Sequence, residues 1–351
     1  MKLLFSLISL FAFGLLTFAQ DADQLRFAKI ISNNMVLQQQ KPISLWGWAK
    51  PKTEVSVILT QDAKVGEAAW ASINDSTDDK QDNGTYSVTM RYVEKNPPKL
   101  ATQMLKTKAG NDGRWSVQFP AAKASFQPTW IIAQAAQELA VVQNVLIGEI
   151  WVCAGQSNMG WGNFNRKGRE AASADFPGLR YIAWEDSWYK PLADVRKTIR
   201  WQECSPEAAQ RFSAVPYLYG AFLHRYLKVP VGIINVARGG TLGQTWCMRD
   251  ELDSIDNKLM KTVLAEHDTQ TAVWDDPKQV AALIAEWEQS CEVARKEHAV
   301  KVAKAKEEGN KEPRLRLPKK PSDTRAGWSP PAGLFNATVM PIRRLGLRGV
   351  L

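Results

Sequence analysis

Histidine and cysteine are both scarce in this chain, at three and four of 351 residues. Cys153, Cys204, Cys247 and Cys291 stand far apart, with no CxxC and no spacing of zinc-ligand type, so no thiolate metal framework is offered. Nothing in their spacing assigns a disulfide. A P-loop, a GxGxxG turn and an HExxH helix are missing, which removes the usual signatures of nucleotide, dinucleotide and zinc-hydrolase chemistry. No internal repeat is evident. Beyond residue 19, no stretch nears the roughly 18 uninterrupted apolar residues of a membrane span. A soluble mature chain without stable membrane insertion is the expectation.

What is present begins with MKLLFSLISLFAFGLLTFA (1–19): one lysine, an apolar run, then small residues around Thr17 and Ala19. That is the order of a secretory signal, which predicts a secreted or periplasmic protein. The alternative, an N-terminal membrane anchor, is disfavoured because the run is short for a bilayer. Much of the net charge of +9 sits in KEHAVKVAKAKEEGNKEPRLRLPKKP (296–321), interleaved with glutamates. This reads as a solvated helix and linker, and no nucleic-acid partner is expected. The 14 tryptophans suit sugar-facing platforms as well as cores.

Residues 25–144 read as a β-rich, sandwich-like domain. Ile43–Trp48, the alternating Val55, Val57 and Leu59, and the Asp-Gly turn before Trp115, Val117 and Phe119 are strand signals. Between them ASINDSTDDKQDNGT (71–85) reads as an exposed loop. From 145 to 351 the pattern becomes α/β. NVLIGEIWVCA is a continuous apolar strand, AVPYLYGAFLHRYLKVP a helix ending near Pro230, and VGIINVA a second buried strand. A helical insertion is expected at about 250–325, where Val280, Ile284, Trp287, Cys291, Ala294 and His298 form an amphipathic stripe. GLFNATVMPIRRLGLRGVL then reads as a short helical piece leading into a third buried strand.

Two glycine-rich turns follow the two buried strands. In VCAGQSNMGW, Ser157 stands on a strand-to-helix turn. There a hydroxyl is exposed at the carboxyl edge of the sheet and the serine N–H can donate to an oxyanion. In ARGGT (237–241) the glycine N–H groups offer a second donor. On residues alone, a Ser-Asn turn is more often an ordinary helix cap.

GEIWVCAGQSNMGWG resembles the nucleophile block of the sialate O-acetylesterase family, a branch of the SGNH hydrolases. The likeness extends to MVLQQQKPISLWGWAKPKTEVSV, DGRWSVQFP, VPVGIINVARGGT and LFNATVMPI, in that order. It implies an all-β sandwich-like domain followed by a three-layer α/β/α esterase domain. The implied activity is cofactor-free and metal-free hydrolysis of acetyl esters on a sugar or glycan through an acyl-serine. By position, Ser157 matches the nucleophile, Gly240 or Gly239 the second oxyanion donor, and Asn336 a residue near substrate, or else a turn or capping asparagine. Gln156 shapes the turn or touches substrate. Oligomeric state is not implied.

Two departures accompany the likeness. Arg238 stands where the family has tryptophan before its Gly-Gly, which bears on acyl or glycan specificity. The family's Gln-Gly-Glu block and Asp-x-x-His pair have no counterpart in these 351 residues, and neither His224, His267 nor His298 stands in that spacing. The expectation is a C-terminally truncated, weakly active or inactive esterase. The alternatives are a non-catalytic carbohydrate-binding protein or a truncated pseudoenzyme.

Overall fold

The computed structural model describes residues 24–74, 100–162, 174–327 and 330–351. The expected signal at 1–19 and most of the expected loop at 71–85 lie outside them. The chain divides into two compact units. One takes the described residues up to Glu185 with Ala193–Gly240 and Pro341–Leu351; the other takes Asp186–Leu192 and Thr241–Met340.

In the first unit, β1 (Arg26–Phe27), β2 (Val36–Gln38), β3 (Ile43–Trp48) and β4 (Glu54–Thr60) lead to α1 (Ala63–Asn74). Residues 71–74, expected as loop, thus close a helix, because the alanine-rich run before them favours helix more strongly than the polar string after them favours a turn. After the helix come β5 (Gln103–Lys108), β6 (Arg114–Phe119), β7 (Ser125–Ala135) and β8 (Glu138–Cys153). β6 keeps its alternation, with Trp115, Val117 and Phe119 buried between exposed neighbours. It pairs with β3, and β3 with β1, in a three-stranded antiparallel sheet.

β8 is the spine of a nine-stranded mixed sheet. Its first part pairs antiparallel with β7 across a two-residue turn in which Ala136 takes a φ of 50°. Its last part runs parallel to β11 (Val231–Asn235), and the strand passes position 145 without a break. β9 (Phe176–Ala183) flanks β11 in parallel, and β10 (Gln202–Cys204) closes that side antiparallel. Asn235 lies level with both Cys153 and Ala183, so three strands finish together at one carboxyl edge.

Short helices α2 (Ser157–Gly160) and α3 (Pro206–Ala209) precede α4 (Ala214–Leu227). α4 packs on β9 and β11 through Gly220, where a Cβ would stand 2.8 Å from Ile233 and 2.9 Å from Leu179. The core beneath it gathers Cys153, Leu179, Tyr181, Phe212, Tyr217 and Ile233. β12 (Gly349–Val350) pairs with β8 at Trp151 and Val152. It was expected as a buried strand, but Val350 is 67% exposed. An apolar run does not reveal which strands will flank it.

The second unit is mostly helical: α5 (Arg249–Ser254), α6 (Lys258–Asp275) and α7 (Pro277–Glu307). Pro277 opens α7 behind Asp276, whose carboxylate caps Lys278 N–H at 2.9 Å. The expected stripe faces inward, with Cys291 buried and Val280, Ile284, Trp287, Ala294 and His298 half-buried. The proline-rich segment returns along α7. Pro318 O accepts from Trp287 Nε1 at 3.0 Å, and Pro313 O bonds His298 Nε2 at 2.8 Å. Among the described residues, no helix is long and apolar enough to cross a membrane.

Candidate active site

Beyond β8 the chain turns sharply. Gly155 takes a φ of 144°, a conformation costly for a residue with a Cβ, and Gln156 stands extended as the N-cap of α2. Gln156 O accepts both Met159 and Gly160 N–H at 3.1 Å, which curls the chain into α2. Ser157 opens that helix and is exposed. Among the described residues its hydroxyl has no hydrogen-bond partner.

The turn after β11 is laced to this one. Val236 N–H donates to Cys153 O at 3.0 Å, and Arg238 N–H to Gly155 O at 2.9 Å, so the parallel pairing continues past the strands. Gly239 lies against the serine: a Cβ there would stand 3.3 Å from Ser157 Cβ and 3.8 Å from Ser157 N. Gly240, at a φ of 73°, reverses the chain with no atom within 4 Å of where its Cβ would be. Both glycines are exposed. The structure therefore brings together Gln156, Ser157, Gly239 and Gly240.

A third segment joins them from the end of β9. Trp184 N–H donates to Asn235 O at 3.3 Å, and Glu185 pairs with the half-buried Arg238 guanidinium at 2.5 Å. The residue that departs from the family pattern is thereby neutralised in part by a neighbour on another turn. Sequence reasoning missed Glu185, since nothing local marks it.

Asn336 belongs to the second unit and is buried on a single π-helical turn, Phe335–Val339. Its Nδ2 donates to Tyr189 O at 3.1 Å and its carbonyl accepts Leu192 N–H at 3.0 Å, so the side chain is engaged in holding the 186–192 segment.

His224 and His298 each bond a backbone carbonyl, whereas neither buried ring nitrogen of His267 has a hydrogen-bond partner among the described residues. His224 is buried near the far end of α4. Its Nδ1 bonds Val229 O at 2.7 Å and its ring sits edge-on to Phe126 and Phe176. Burial pushes its pKa down. The 1.5 Å rise per residue puts it about 16 Å along the helix from Ser213, at the end away from the serine turn. In the second unit, His267 lies 3.6 Å from Asp268, whose carboxylate is held by both terminal nitrogens of Arg249 at 2.7 and 2.8 Å. That guanidinium lowers the Asp268 pKa, while burial lowers that of His267. Cys153 and Cys204 are buried free thiols pushed up to about 12 by burial, which leaves them unreactive at neutral pH. Among the described residues, no group of three or more His, Cys, Asp or Glu side chains has the arrangement of a metal site.

No family profile matches the chain. The sialate O-acetylesterase of Mus musculus is 25% identical over 240 residues, covering 65% of this chain and 38% of that protein. The Homo sapiens sialate O-acetylesterase is 26% identical over 234 residues, with 63% and 38% coverage. The chain spans about 38% of the length of these curated relatives. Among solved structures, a carbohydrate acetylesterase from Xanthomonas citri superposes on 93% of this chain and 50% of its own, with a TM-score of 0.56 and 19% identity. At that identity the likeness shows a shared fold.

Proposed function

We propose that this chain is a serine-type carbohydrate O-acetylesterase, with Ser157 as nucleophile and the Ser157 N–H plus a Gly239 or Gly240 N–H as oxyanion donors. The observation that carries the proposal is the approach of Gly239 to Ser157, close enough that a side chain would crowd the nucleophile. In this reading the layers around β8, β9 and β11 are an SGNH-type α/β/α arrangement. The strands before residue 145 are its sandwich-like support, and the protein works outside the cytoplasm.

Ser157 Oγ attacks the acetyl carbonyl carbon, and the carbonyl oxygen takes up the negative charge between the two turns. Collapse breaks the bond to the sugar oxygen, which takes up the proton given up by Ser157 Oγ and leaves as a free hydroxyl. Water then attacks the acetyl-serine, releasing acetate and restoring the hydroxyl. Preorganised N–H groups supply most of such a barrier reduction, about 10²–10³ in rate per donor. A histidine in Asp-x-x-His spacing, which the resemblance implies as the base, is absent from the sequence. A serine without its base is a weak nucleophile, so Ser157 acting without such a histidine sustains only the roughly 10³–10⁴-fold over water left by binding and oxyanion effects. Arg238 and Glu185 border the acyl site and set its preference; Gln156 shapes the serine turn, while Asn336 holds the 186–192 segment of the second unit.

Acetate release from acetylated monosaccharides and glycans tests this directly. Slow release that Ser157→Ala abolishes supports the proposal. Glycan binding that survives Ser157→Ala, with no acetate release from either protein, replaces it with a carbohydrate-binding function.

A further inference from the structure

The strand that leads to the glycine turn ends on a buried polar residue with no place in an apolar strand. Val231–Ile234 are fully buried and apolar or glycine, and Asn235 follows at 5% exposure. A leucine there would have suited the core as well, and an amide is costly to bury unless its groups are bonded. All of them are. Asn235 Nδ2 donates to Tyr181 Oη at 2.7 Å and to Ser213 Oγ at 2.8 Å, while its Oδ1 accepts Ala237 N–H at 3.3 Å. Tyr181 Oη also accepts Ser213 N–H at 3.1 Å, and the Tyr181 ring stacks on Phe212 at 4.1 Å.

Ser213 is the N-cap of α4, a position where a serine hydroxyl ordinarily accepts from the helix's own first N–H groups. Here it makes no such bond and serves Asn235 instead. The next residue, Ala214, donates its N–H at 3.0 Å to Trp161 O, and Trp161 is the C-cap of the helix that Ser157 opens. Two successive residues at one helix entrance therefore hold both turns, Ser213 the glycine turn and Ala214 the serine turn. Arg238 N–H to Gly155 O closes the circuit.

We propose that Asn235 is a positioning residue that, through Tyr181 and Ser213, fixes the gap between Ser157 and Gly239 and so pre-sets the oxyanion site. The proposal rests on the reading of Ser157 as a nucleophile. Its stereochemical content does not, since the hydrogen-bond circuit is a property of the fold.

The test compares Asn235→Leu and Ser213→Ala with the unmodified chain. It measures steady-state kinetics on a soluble acetyl ester, thermal midpoint, and residue-resolved amide hydrogen exchange. Loosening of the gap lowers kcat about 10- to 100-fold with KM held within about twofold, as expected for donors displaced from a developing charge. The Arg238 amide then exchanges at least about tenfold faster while Val152 and Ile233 stay protected, a local opening distinct from global unfolding. Unchanged Arg238 exchange in a folded variant overturns the proposal. So does a rise in exchange spread evenly over β8 and β11 with a matching fall in thermal midpoint. If Asn235→Leu does not fold, Ser213→Ala, which removes a single hydroxyl, decides alone. If the unmodified chain shows no Ser157-dependent turnover, the esterase reading fails while Arg238 exchange still decides the positioning role.

Discussion

His224 illustrates how a single side chain ties pH to stability. Burial, opposed by the Val229 carbonyl and aided by the Arg225 charge, holds its pKa below the usual histidine value. The unfolded chain, with a histidine pKa of about 6.5, therefore takes up its proton earlier as pH falls. The neutral ring's contribution is complete above about pH 6.5 and is lost progressively as pH drops toward the folded value. The urea midpoint should accordingly fall between pH 7.5 and pH 5, and His224→Gln should flatten that dependence. His267 shifts in the same direction, so a residual slope in the variant is expected. Legibility at this scale followed sequence distance. The serine turn was readable because Gly155, Gln156 and Ser157 are contiguous. Asn235 was not, because its partners Ser213 and Tyr181 lie 22 and 54 residues away and are united by the β9–β11 pairing and the packing of α4 on those strands.

Among the elements, β8 carries the greatest packing demand. Gly148 sits where a Cβ would stand 1.9 Å from Pro230 O, with Gln38 of β2 alongside in register. Gly148→Ala must push strand or loop backbone apart and should cost about 1–3 kcal/mol, read as a lower denaturant midpoint with an unchanged slope. The alternation of β6 and the stripe of α7 were legible because a local period of two or 3.6 is itself the cause of the burial pattern. The exposure of β12 and the end of α1 were not, since flanking strands and competing helix propensity decide them.

For the molecule as a whole, the four cysteines report on compactness. Cys153, Cys204 and Cys291 are buried and Cys247 is exposed, all as free thiols. Titration of the native protein with an aromatic disulfide reagent should therefore find one fast thiol, with the other three reacting only as denaturant unfolds the chain. Four fast thiols would mean that the cores around β8 and α7 open readily. The mixed α/β character was evident from the change of hydrophobic pattern near residue 145. The division into compact units was not, because Asp186–Leu192 is drawn to residues far along the chain. Nothing in a local pattern marks such a long-range choice.

The single strand that joins the antiparallel and parallel parts of the sheet also orders the events of folding. The β7–β8 hairpin closes over two residues, a contact made early and cheaply in chain entropy. The parallel pairing of Cys153 with Asn235 must wait for a crossover of about eighty residues, a slow step by contact order. The serine turn is consequently synthesised and half-anchored long before its glycine partner arrives. The approach of Gly239 to Ser157 therefore matures after the hairpin, and a chain interrupted between the two events carries the serine turn without its glycine partner.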